Sequence, residues 1–124
     1  MNAMNELLEI FDVSKIFCVS VNESYQENME LDDLLEGARG DWAVSLSSVQ
    51  DSELLIAIYK GKPVGVWDVF GAYITDSLTD RPVNRGFRVR LDARNPKVIS
   101  PRVIEWFCKN EIQLRSGSAT IKSA

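Results

Sequence analysis

Apolar positions recur along this chain with two different periods, and the changes of period mark out the elements. Leu7, Leu8, Ile10 and Phe11 fall on about one face of a short helix predicted over Asn5 to Val13. Lys15 to Val21 (Lys-Ile-Phe-Cys-Val-Ser-Val) is β-branched or aromatic and apolar at nearly every position, the composition of an interior strand. After a polar loop, Asn22 to Asn28, a second helix is predicted over Met29 to Arg39. Its Leu31, Leu34 and Leu35 have helical spacing, and Glu30, Asp32 and Asp33 lie early, where carboxylates favour the positive end of the helix dipole. Gly40 ends it. Trp42-Ala43-Val44 reads as a short strand and Ser45 to Ser52 as a Ser-rich turn.

The most apolar run, Leu54 to Tyr59, has no polar face to offer water, so it is predicted as a central strand covered on both sides. Lys60-Gly61-Lys62 turns it into an antiparallel partner over Pro63 to Phe70. Thr75 to Asn84 reads as a polar loop. Phe87, Val89 and Leu91 then alternate with Arg88, Arg90 and Asp92, the period-two pattern of a half-buried strand that Asn95-Pro96 breaks. Ser100 followed by Pro101 is a helix start, because proline's missing N–H costs nothing at the first helical position. That helix is expected to run to about Lys109 with Val103, Ile104 and Phe107 inward, and to stop at Asn110. A last strand is predicted over Ile112 to Ile121, loosened by Ser116-Gly117-Ser118. This order gives an α+β fold: a curled, mainly antiparallel sheet or a small barrel with flanking helices, in one domain spanning residues 1–124.

Composition narrows the function classes. The chain holds 45% hydrophobic and 26% charged residues, a globular balance. It has no apolar run of membrane-spanning length, and its first residues lack the basic flank of a secretory signal. Cys18 and Cys108 each sit in an apolar run and read as small buried hydrophobes in a reducing, cytoplasmic setting. There is no histidine, which removes Ser-His and Cys-His nucleophilic pairs, His-bearing zinc sites and His acid–base catalysis. A two-metal nuclease site needs clustered carboxylates beside a lysine. The nearest approach sets Asp76 or Asp80 against Asp92-Ala93-Arg94, with arginine at the lysine position and no second strand carboxylate. No catalytic residues, metal or cofactor are therefore expected.

Charge is distributed unevenly. Residues 1–58 hold twelve acids against Lys15 and Arg39, a net of −10, while residues 59–124 hold twelve bases against six acids, a net of +6. Two readings stay open: the halves neutralise each other in the fold, or they remain separate surfaces. A basic half on an acidic protein can seat a phosphate backbone, because counterion release depends on the local patch. Arg88 and Arg90 share the exposed face of their strand, with Arg94 beyond, and such a face can track phosphates or simply be solvated. In Arg39-Gly40-Asp41-Trp42 a cation and a large ring fall at a helix end with glycine between them, as a base-stacking pocket requires. The competing assignment puts Trp42 in the core, as for Trp67 and Trp106, and pairs Arg39 with Asp41 or Glu36. The acidic stretch bearing Glu30, Asp32, Asp33 and Glu36 lacks the central glycine of a calcium loop. It reads as a solvated helix face or as a phosphate mimic.

Between Phe17 and Trp67 the chain resembles a family of small bacterial and phage-borne domains to which no activity is attached. The matching segments are Val19-Ser20-Val21-Asn22, Tyr25, Met29, Asp32-Asp33-Leu34-Leu35-Glu36, Arg39-Gly40-Asp41-Trp42, Leu55 to Gly61 and Val64-Gly65-Val66-Trp67. They cover well under half the chain, and Phe70-Gly71-Ala72-Tyr73 departs from the family's aromatic-glycine continuation. The family is similar in element order to PUA-like modules of the ASCH and EVE type, so the resemblance implies a small barrel that binds RNA or modified bases. Two functions are expected from residues and resemblance together. The first is a non-catalytic nucleic-acid-binding module in which Arg88, Arg90 and Arg94 meet phosphate and Arg39 with Trp42 holds a base. The alternative is a small acidic inhibitor or immunity protein that blocks a toxin or defence nuclease through Glu30, Asp32, Asp33 and Glu36. Neither reading involves a membrane.

Overall fold

The apolar run Leu54–Tyr59 forms strand β2 at the middle of a five-stranded sheet. A computed structural model describes residues 3–22, 25–40, 42, 44–75, 88–114 and 117–123 of the chain. The elements are α1 (Ala3–Phe11), β1 (Lys15–Ser20), α2 (Leu31–Arg39), α3 (Leu46–Val49), β2, β3 (Lys62–Thr75), β4 (Arg88–Pro96), α4 (Pro101–Lys109) and β5 (Ser118–Lys122). The strand order is β4-β3-β2-β1-β5. The β1–β5, β2–β3 and β3–β4 pairs are antiparallel and β1–β2 is parallel, so the sheet is mixed. The parallel pair follows from the helices between β1 and β2, since a parallel neighbour needs a crossover. No helix among the described residues is long and apolar enough to cross a membrane.

Alternation along the strands builds a core on each side of the sheet. Ile16, Cys18, Leu54, Ile56, Ile58 and Val66 pack under α1 and α4 with Leu7, Val103, Trp106 and Phe107. Phe17, Val19, Leu55, Ala57 and Trp67 point the other way, towards Leu34 and Ala38 of α2 and Val49 of α3. Lys60 (φ 49°) and Gly61 (φ 78°) make the tight turn into β3, both in the left-handed region that primed hairpin turns require.

β3 is longer than its sequence signal. Only Lys62–Asp68 pairs with β2; beyond that, β3 pairs with β4 alone, through Thr75↔Arg88. Register shifts between Trp67 and Asp68 and between Val69 and Gly71 mark where this two-stranded ribbon leaves the body of the sheet. Val89, Leu91 and Ala93 are buried in the α2-side core, so the ribbon bends over that face. Trp42 then bridges to Val89 on the outer edge of β4, and it lies against Gly117, where a Cβ would sit 3.5 Å from its ring. Gly117 continues the β5 line, accepting a hydrogen bond from Ser20 N–H. In a flat sheet five strand spacings of about 4.8 Å would part these residues by roughly 24 Å. The sheet is therefore curled, yet open, because β4 and β5 do not pair.

Several expectations shift. The short strand at 42–44 is an isolated bridge at Trp42, and the Ser-rich turn contains α3. β4 runs on through Asn95-Pro96 in place of the expected break, and β5 starts only at Ser118, the last residue of the Ser-Gly-Ser segment. In α4 the inward stripe is Val103, Trp106 and Phe107, with Ile104 49% exposed, because Trp106 turns in to donate its Nε1–H to Ala3 O (2.9 Å). The same register makes Cys108 exposed, although Cys18 is buried as expected. Asp76, Asp80 and Phe87 lie outside the described residues.

Candidate nucleic-acid interface

The ribbon formed by the ends of β3 and β4 has an inner face, which joins the core, and an outer face. Cross-strand partners share a face, so Tyr73 and Arg90 lie on the outer side, opposite the buried Leu91. Arg88 and Asp92 follow by alternation. Arg94 stacks over the ring of Phe70 with its guanidinium carbon 5.3 Å from the centroid, which places Phe70 on this side as well. Phe70 is 60% exposed and Tyr73 42% exposed.

The C-terminal end of α2 completes the face. Arg39, its last residue, donates from Nη2 to the Tyr73 hydroxyl (3.1 Å) and from Nη1 to Glu36 (3.4 Å). Its Nε is buried, with no hydrogen-bond partner among the described residues. Gly40 brings the chain close to β4: a Cβ there would stand 2.6 Å from Nε of Arg90. The absent side chain leaves the room in which the half-buried Arg90 lies flat against the backbone. Arg39 and Arg90 thus meet at Tyr73, with Arg88 on the same face opposite Thr75.

The other singled-out residues are placed differently. Trp42 is near this cluster but turned inward: it packs against the α2-side core and its Nε1–H is held by Ala38 O at 2.8 Å. Its indole ties α2 to β4. Arg94 sits farther along the ribbon in a two-point pair with Asp92, Nε to Oδ1 at 3.0 Å and Nη2 to Oδ2 at 2.9 Å. The hydrogen bond to Asp92, then its charge, raises the Arg94 pKa. This carboxylate offsets the positive charge that Arg94 would present to a phosphate. Glu30, Asp32, Asp33 and Glu36 are all exposed on and beside α2. The remaining described ion pairs, Lys97–Asp68 (3.1 Å) and Lys109–Glu105 (2.8 Å), are local. Like Arg39–Glu36 and Arg94–Asp92, each of these pairs joins residues from the same half of the sequence.

Phe70 and Tyr73 are not named as site residues in the sequence reading. A signal existed for them, a pair of aromatics flanking Gly71-Ala72, but β3 was expected to end at Phe70. Among the described residues no group of three or more Cys, Asp or Glu side chains is placed to hold a metal ion. No family model, curated protein or solved structure matches the chain.

Proposed function

We propose that this protein is a cytoplasmic, non-catalytic nucleic-acid-binding module of PUA-like kind that uses the outer face of the β3–β4 ribbon. The observation that carries the reading is the gathering of Arg39, Arg88 and Arg90 with the exposed rings of Phe70 and Tyr73 on one surface. Arginine supplies the sequence-independent attachment to phosphate, and rings beside it supply contact with bases. The curled sheet and the exposed free thiol of Cys108 are in keeping with a small barrel-like module in a reducing compartment.

Titrations of labelled DNA and RNA at several salt concentrations test this. The double variant Arg88→Glu, Arg90→Glu is expected to bind more weakly. Its slope of log K against log salt should be shallower by about 0.7 per lost contact on a single strand, or about 0.9 on a duplex. Absence of wild-type binding to any single- or double-stranded DNA or RNA at low salt refutes the reading, because electrostatic attachment is strongest there. The exposure of Glu30, Asp32, Asp33 and Glu36 supports the second reading, an acidic inhibitor of a nuclease or toxin. In that case reversing Asp32, Asp33 and Glu36 to lysine abolishes partner binding, chiefly through the association rate, and the Arg88/Arg90 variant is silent.

A further inference from the structure

We infer that the ribbon face is a stacking platform for single-stranded nucleic acid, with Phe70 and Tyr73 each receiving one unpaired base; this rests on the nucleic-acid reading above. The two rings are three residues apart on β3, about 10 Å at roughly 3.3 Å per residue. The floor between them is bare. A Cβ on Gly71 would meet nothing within 4 Å, and Ala72 turns towards the core. Each ring is also held before any ligand arrives. Arg94 covers one side of Phe70 while the residue remains 60% exposed, and Arg39 fixes the Tyr73 hydroxyl at 3.1 Å. Rings ordered in advance lose little conformational freedom on binding, which favours affinity.

A two-stranded ribbon also fits the major groove of a duplex, so the choice needs an argument. Reading base edges there requires arginines that project. Here Arg90 lies flat against Gly40 and Arg39 is folded down onto Tyr73. In a duplex the bases already stack on one another and offer only their edges, so the ribbon's rings would have to unstack them to gain contact. In a single strand the flat faces are available and every base has one, which makes the recognition tolerant of sequence. The inward-turned Trp42, with its Nε1–H spent on Ala38, is not part of the platform.

The test uses the full chain and a labelled oligothymidylate about twelve nucleotides long, within the ~4–16 nucleotides such a module covers. A duplex of equal length serves as the comparison. Wild type is expected to bind the single strand at least tenfold more tightly than the duplex. Phe70→Leu and Tyr73→Leu should each weaken binding about tenfold without altering the salt slope, since each removes a π-face and no charge. Tyr73→Phe keeps the ring and should bind within a few-fold of wild type. Both positions are exposed, and equal melting temperatures verify that the variants fold. A duplex preference, or leucine variants that bind like wild type, overturns the stacking platform and leaves the nucleic-acid reading standing. No binding to either probe at low salt overturns the stacking platform, and if RNA of both kinds also fails to bind, the nucleic-acid reading falls with it.

Discussion

Gly65 lies beneath the ring of Trp67, two residues along β3 on the same face, and a Cβ there would stand 2.2 Å from Cη2 of the indole. Trp67 is 1% exposed within the core on the α2 side, so the ring has nowhere to move. Gly65→Ala is therefore expected to destabilise the protein by about 1–3 kcal/mol or more, the usual cost of overpacking. Urea denaturation measures it, and a loss below about 0.5 kcal/mol would show that the strand shifts to accommodate the methyl. Nothing in the string Val64-Gly65-Val66-Trp67 reveals this contact, because the sequence does not say which way the indole folds. The α4 stripe shows the same limit. Ile104, Trp106, Phe107 and Cys108 are all apolar enough to face inward, and the register was decided by one polar atom, the Trp106 Nε1–H reaching Ala3 O across the chain. Once Trp106 turns in, Cys108 must turn out. Cys18, by contrast, is buried inside β1, and burial raises its thiol pKa to about 12.

At the scale of elements, what was legible had a strong local cause. β2 has six apolar residues in a row and sits where composition put it. α4 begins at Pro101 because Ser100 Oγ accepts from Val103 N–H at 3.3 Å. α3 left no signal, since four residues are too few to show a helical period. The length of β3 was hidden for another reason: Gly71 interrupts the apolar stretch Val69 to Ile74, and that far half pairs with β4 alone. The docking of α2 onto that ribbon passes through Gly40, whose Cβ position is occupied by the Arg90 side chain. That neighbour is a flexible, half-buried stem, not backbone, and it can move aside. Gly40→Ala is thus expected to change stability by less than about 1 kcal/mol. It should nevertheless weaken nucleic-acid binding several-fold by displacing the Arg90 guanidinium, with no change of charge. If affinity for the oligothymidylate is unaltered, Arg90 does not work from its present position against α2.

At the scale of the whole molecule, the pairs Arg39–Glu36, Arg94–Asp92, Lys97–Asp68 and Lys109–Glu105 each join residues from the same half of the sequence. α2 packs beside β4 through its C-terminal end, where Glu36 pairs with Arg39 next to Tyr73, and Asp32 and Asp33 are exposed in the first turn of the same helix. Sequence separation could not show this, because the bend in β3 is what brings the ribbon back over the helix side of the sheet. A phosphate approaching Arg39 meets Glu36 well within one Debye length, ~8–10 Å at physiological ionic strength, and Asp32 and Asp33 add charge on the same exposed helix. The helix then acts as a negative border that weakens indiscriminate attachment and slows encounter. Reversing Asp32, Asp33 and Glu36 to lysine is accordingly expected to tighten oligothymidylate binding several-fold at low salt, mainly through faster association. Loss of the Glu36–Arg39 pair (3.4 Å) costs little stability, because both partners are at least partly solvated. The gain should shrink as salt rises towards 1 M, where screening acts within about 3 Å. Stopped-flow association at several salt concentrations measures the effect directly. Unchanged or slower association would mean that the ribbon's partner does not pass the acidic helix, and the border would then have no bearing on binding.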